Sequence, residues 1–94
     1  MTRYISLFRF TEQGAKAIKQ STGRAKEFAN AAAKAGVKVE GQYWTVGDYD
    51  GVLILRAENE KDALRLLVAL AAAGNVETKT MQALNAAEFE AIAK

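Results

Sequence analysis

Between Trp44 and Leu55 the chain reads WTVGDYDGVLIL, which sets two carboxylates, Asp48 and Asp50, and the phenol of Tyr49 at the mouth of an apolar run. Tyr43 lies just upstream, Arg56 ends the same apolar run, and Ser6 is a polar side chain among apolar neighbours in an earlier extended stretch. A carboxylate enclosed in an apolar cavity loses solvation of its charged form and can serve as a base near neutral pH. Asp50, Tyr43, Ser6 and Arg56 are therefore the candidate ligand-binding residues. For Asp50 the competing reading is a solvated residue that begins a strand or bonds the turn backbone. Gly47-Asp48 has a simpler role, because glycine followed by aspartate suits a two-residue type II′ hairpin turn. Gly47, Asp48 and Tyr49 are accordingly assigned to a structural turn, with Tyr49 packing toward the helices.

The chain contains no histidine and no cysteine. That removes the commonest metal ligand, the usual general base and haem ligand, thiolate chemistry and disulfides. The expectation is no metal site and no cofactor, and no catalytic residue can be named. Phosphate-cradling and dinucleotide-binding glycine patterns are absent. The start, MTRYISLFRF, has no long apolar run and does not read as a signal peptide. The run LLVALAAA at 66–73 is too short to span a bilayer, so a cytoplasmic protein without a membrane partner is expected. The net charge of +2 hides an asymmetry: up to Lys38 the only acids among many bases are Glu12 and Glu27. A basic half can meet nucleic acid or an acidic surface in an assembly, although a solvated helix face accounts for it as well.

The elements that must position these residues follow from periodicity. The length suggests a single domain over residues 1–94. YISLFRF at 4–10 reads as a strand, Thr11 caps a short helical turn over 12–19, and Ser21 or Thr22 caps a helix running to Ala35. In that helix Ala25, Phe28, Ala29 and Ala32 share a stripe. Gly36 suits a left-handed helix end. Two strands follow, 37–46 and 49–57, separated by Gly47-Asp48 alone. Asn59 caps a helix whose buried face is Ala63, Leu64, Leu67, Leu70 and Ala71, and Gly74 ends it. A last strand covers 76–84, and Asn85 with Glu88 starts a short helix pinned by Phe89 and Ile92. The order βαββαβ is the ferredoxin-like α+β pattern: a four-stranded antiparallel sheet, first and third strands central, with both main helices on one face and a short C-terminal helix.

The hairpin fixes a register in which Tyr43 faces Val52, Gly41 faces Ile54 and Val39 faces Arg56. Alternation then assigns Trp44, Val46, Tyr49, Gly51, Leu53, Leu55 and Ala57 to the helices, together with Ile5 and Leu7. The opposite face takes Val39, Gly41, Tyr43, Thr45, Asp50, Val52, Ile54 and Arg56. Tyr4, Ser6, Phe8, Phe10, Thr78, Thr80 and Gln82 are placed with it. Such an open face, roughly 320 Å² in flat area, is too apolar for a lone monomer. The expected partner is a second copy, in a homodimer or larger closed oligomer.

Taken together, Thr45-Val-Gly-Asp-Tyr-Asp50 with Tyr43 before it, Gly74-Asn75-Val76, Tyr4-Ile5, Thr11-Glu12-Gln13-Gly14 and Ser21 resemble the GYD domain family of small bacterial proteins. The resemblance covers nearly the whole chain. Asp48 stands where glutamate is frequent in that family, and Thr22-Gly23 stands where proline is common. The resemblance implies a single GYD-like domain of the dimeric α+β-barrel type and implies no activity, because fold is a weak warrant for function. Three functions compete. One is a homo-oligomeric small-molecule-binding protein, with a cofactor-independent enzyme as its catalytic variant. The second is a regulatory or scaffolding module without chemistry. The third, RNA binding on the sheet, is disfavoured because Gly51–Leu55 offers no aromatic platform for bases.

Overall fold

A computed structural model describes every residue from Met1 to Lys94. Strand β1 spans Thr2–Phe10, helix α1 Glu12–Lys16 and helix α2 Ser21–Lys34, with a 3-10 turn at Ile18–Gln20 between the helices. Strands β2 (Val37–Trp44) and β3 (Gly51–Ala57), helix α3 (Glu60–Ala72), strand β4 (Val76–Ala83) and helix α4 (Ala86–Ala93) complete the chain. All pairings are antiparallel and the sheet order is β2-β3-β1-β4. This is the expected ferredoxin-like α+β fold with β1 and β3 central. No helix is long and apolar enough to cross a membrane.

Local chemistry explains most element ends. The Thr11 hydroxyl accepts the Gly14 N–H at 3.1 Å to start α1, and Asn59 Oδ1 accepts the Lys61 N–H at 3.0 Å to start α3. Asn85 and Glu88 form a full capping box at α4, at 2.8 and 2.9 Å. Gly36 and Gly74 leave their helices at positive φ, 79° and 78°. Ser21 and Thr22 do not cap α2: its N-cap position is Gln20, the end of the 3-10 turn, and it makes no side-chain cap. The Ser21 hydroxyl accepts instead from Trp44 Nε1 at 2.9 Å.

The face assignment of β1 is corrected. Tyr4, Ser6 and Phe8 pair with Leu55, Leu53 and Gly51 and therefore share the helix-covered face, where all three are buried. Ile5 and Leu7 pair with Ile54 and Val52 on the open face. Phe10, Thr78, Thr80 and Gln82 move to the helix side with their partners. The Ser6 and Thr80 hydroxyls are hydrogen-bonded at 2.9 Å, which satisfies the one buried polar side chain of the layer.

In β2 a bulge between Val39 and Gly41 sets Val39 opposite Leu55, so Val39 turns to the helices and Glu40 is the extra residue. Tyr43 opposite Val52 and Gly41 opposite Ile54 are as expected. The β2–β3 connection is longer than the two-residue turn: strand pairing stops at Trp44 and Gly51, and Thr45 closes the loop by donating its N–H to Asp50 O at 2.9 Å and its hydroxyl to Tyr49 O at 2.6 Å.

The core of the helix–sheet layer is one cluster of Tyr4, Ala32, Val37, Leu55, Ala57, Ala63, Leu66 and Leu67, with Phe28 and Val39 packed on it. On α3 the buried stripe runs through Leu66, and the expected Leu64 and Ala71 are exposed. Phe89 and Ile92 do not pin α4 down: they are 61% and 69% exposed.

Candidate functional site

The core cluster fills only one end of the helix–sheet layer. Beyond it, α2 toward its N-terminus, α3 toward its C-terminus and the sheet leave a cleft of about 330 Å³. Its floor is Phe8, Phe10 and Leu53, its walls include Phe28, Leu66 and Leu70, and its mouth carries Tyr43, Trp44, Asn75 and Val76. The Phe8 and Phe10 rings meet edge-on, centroids 5.8 Å apart. Gly51 makes this packing possible, because a Cβ there would overlap the Phe8 ring and the Tyr43 carbonyl oxygen.

Hydrogen bonds hold the cleft open to a fixed width. Gln42 Nε2 donates to Ala25 O at 2.9 Å, and Trp44 Nε1 donates to Ser21 Oγ at 2.9 Å, which ties the edge strand β2 to the first turns of α2. At the opposite rim Thr11 donates its hydroxyl to Gly74 O at 2.6 Å and its N–H to Asn75 O at 3.1 Å, while Gln13 Nε2 reaches Ala73 O and Asn75 Oδ1 at 3.0 and 3.1 Å. Gly14 is buried in this joint, where any Cβ would overlap the Asn75 carbonyl. Two charged side chains line the cleft, Arg24 and Glu27. Arg24 Nη1 donates to Ala17 O at 2.8 Å, and its Nη2 is shielded from water without an acceptor.

The four residues singled out in the sequence do not form one cluster. Asp50 is half-buried and its Oδ2 accepts the Phe10 N–H at 2.8 Å, while its own N–H donates to Phe8 O at 2.8 Å. It therefore clamps the backbone beneath the cleft floor. Tyr43 borders the cleft but is 58% exposed. Ser6 is buried against Thr80 on the helix side. Arg56 lies on the open face, where it and Arg3 hold Glu40 at 3.3 and 2.9 Å. The two guanidinium groups pull the Glu40 carboxyl below its usual range, chiefly through the Arg3 hydrogen bond. Burial pushes the Tyr4 phenol up, with a smaller contribution from Glu60.

The Gly47–Tyr49 segment lies inside the longer Thr45–Asp50 loop, where Gly47 has φ 148°, a conformation that favours glycine. Tyr49 does not face the helices. Its ring lies under the Arg9 guanidinium at 4.5 Å, with Lys79 Nζ at 6.0 Å, both from the open face. Arg9 Nε also donates to Asp48 O at 2.6 Å. The segment thus clasps β1, whose aromatics floor the cleft.

Sequence reasoning marks Arg24 only as part of a basic stretch. The available signal is its spacing, since Arg24, Phe28 and Ala31 fall at i, i+4 and i+7 and so share a helix face.

Comparison with known proteins agrees with this architecture. Residues 4–93 match the GYD domain family. A Thermus thermophilus protein described as glutamine synthetase and cystathionine beta-lyase binding protein is 33% identical over 90 residues, covering 95% of each chain. A crystal structure of a protein from Thermus thermophilus superposes with a TM-score of 0.58 at 22% identity, covering 92% of this chain and 96% of that one. That structural likeness concerns the fold. The chain belongs to the GYD domain family.

Proposed function

We propose that this GYD-family chain is a homo-oligomeric binding protein that pairs two copies through the open faces of their sheets and engages metabolic enzymes as a regulatory or scaffolding partner. The open face carries this reading. Ile5, Leu7, Val52 and Ile54 lie side by side there, half-exposed, with Met81 and Tyr43 beside them. The chain leaves 6382 Å² accessible, against about 5,300 Å² for a monomer of its mass. The excess, on the order of 1,000 Å², is shared between the open face and the exposed helix α4, and leaves room for the roughly 800 Å² that each partner contributes to a standard interface. The Arg3–Glu40–Arg56 cluster and the Arg9–Tyr49–Lys79 stack bracket the apolar centre, as a polar rim brackets an interface core. The Thermus relative, a glutamine synthetase and cystathionine beta-lyase binding protein, supports protein partners. The cleft supports a second, compatible reading, a small-molecule ligand.

Sedimentation equilibrium at micromolar concentration tests the pairing. The wild type is expected to be a dimer or larger, Ile54→Glu a monomer, and Val68→Glu, on the exposed side of α3, unchanged. A wild type that stays monomeric rules the pairing out. Titration of the protein into purified glutamine synthetase and cystathionine beta-lyase tests the partners, and binding to neither removes that part of the reading.

A further inference from the structure

We infer that the cleft binds a small apolar carboxylate and that Arg24 is the group that takes its charge. This rests on reading the cleft as a ligand site and names the ligand class. A guanidinium offers five N–H donors and accepts nothing, so it is satisfied only by oxygen acceptors around its edge. Arg24 has one, Ala17 O, and its Nη2 has none while shut away from water. The ion pairs of the molecule involve Arg3, Lys16, Arg56 and Arg65 and leave Arg24 out. A charged donor buried without an acceptor is costly, and a turn of the Arg24 side chain that brings the shielded Nη2 to the cleft wall lets an anion in the cleft remove that cost.

Several features select a carboxylate on an apolar body. Nη1 is anchored on Ala17 O, and the planar fork of a guanidinium matches the two oxygens of a carboxylate. Arg24 is the one cation lining the cleft, and Glu27 lines it too, so a second negative charge on the ligand would be desolvated without a partner. That disfavours phosphates and dicarboxylates. Arg24 also lies in the first turns of α2, where the helix dipole favours an anion. The remaining lining is mainly aromatic and aliphatic. A volume near 330 Å³ accommodates about eleven non-hydrogen atoms at roughly 30 Å³ each, the share of a water molecule in the liquid.

Octanoate and its neutral counterpart octanamide are suitable probes. Trp44 is the chain's one tryptophan and stands at the cleft mouth, so its fluorescence reports occupancy, and calorimetry gives the affinity. Octanoate is expected to bind at least about tenfold more tightly than octanamide, the factor a charge-assisted hydrogen bond supplies. Arg24→Met, which keeps an apolar stem, should bring the two ligands to equal affinity, and Arg24→Lys should restore part of the preference. Equal binding of both by the wild type overturns the role of Arg24 and leaves the cleft a ligand site. Failure of both to bind overturns the cleft reading itself. The wild-type comparison stands alone if Arg24→Met does not fold.

Discussion

The two ends of the helix–sheet layer are built from the same elements and behave differently. At the closed end Ala32 of α2, Ala63 of α3 and Ala57 of β3 are buried side by side with Val37, Leu55 and Tyr4. Small residues on both helices let them settle onto the sheet, and the larger side chains fill what is left. At the open end the sheet presents Phe8 and Phe10, the helices present Arg24 and Leu70, and the elements are held apart by directed hydrogen bonds. The lesson is that the cleft is bounded by structure of its own. Its floor is fixed by Asp50 and Gly51, its outer wall by Gln42 and Trp44, and its far rim by the joint of Thr11, Gln13 and Gly14 with Ala73, Gly74 and Asn75.

The contrast breaks most sharply if equivalent truncations cost the same at both ends. Leu55→Ala empties a fully enclosed site and should lose about 2–5 kcal/mol. Leu53→Ala enlarges a space already open, so its loss should be near the lower end of that range, about 2 kcal/mol. Urea denaturation of both variants measures the difference, and equal losses would mean that the cleft closes up in solution. A smaller effect is expected at the rim. Gly14→Ala forces the Asn75 carbonyl to move and should cost about 1–3 kcal/mol in the same assay, and a change in Trp44 emission would show whether the strain reaches the cleft.

The smallest effect concerns the ion cluster at the closed end of the open face. Because Glu40 is held below its ordinary range, its contribution is fully present above the unfolded-state value and is lost as pH falls through the lower folded-state value. Acid unfolding curves of wild type and Glu40→Gln should therefore differ near neutral pH and converge in acid. High salt should shrink the gap.

Much of the closed end was legible in the sequence. The alternation of Gly51–Ala57 has one apolar phase on the helix side, and Asn59, Asn85 and Gly74 mark element ends whose capping chemistry is local. The phase of β1 was not legible, because Tyr4, Phe8 and Phe10 on one face are matched by Ile5 and Leu7 on the other. Ser6 pointed the wrong way, since a polar side chain reads as outward until its partner Thr80, distant in sequence, is known. The bulge at Glu40 flips Val39, and its one local signal is Gly41 beside it, since a glycine inside a strand suggests a bulge but does not fix its phase. The cleft depends on where two helices diverge, and no local pattern encodes that distance. Asp50 was visible as an unusual carboxylate, but its bond to the Phe10 N–H needs the loop from Thr45 to Asp50, which the glycine–aspartate pair concealed.

Helix α4 is closed at its start by its own capping box of Asn85 and Glu88 and then carries Phe89 and Ile92 into water. Eight residues are fewer than a helix needs to persist on its own, roughly 12–15. Its amide protons therefore exchange with solvent through local fraying long before the sheet opens, and the cap sets how often that fraying begins. Any surface that covers Phe89 and Ile92 slows this exchange, which makes the tail a built-in clock for occupancy of that surface.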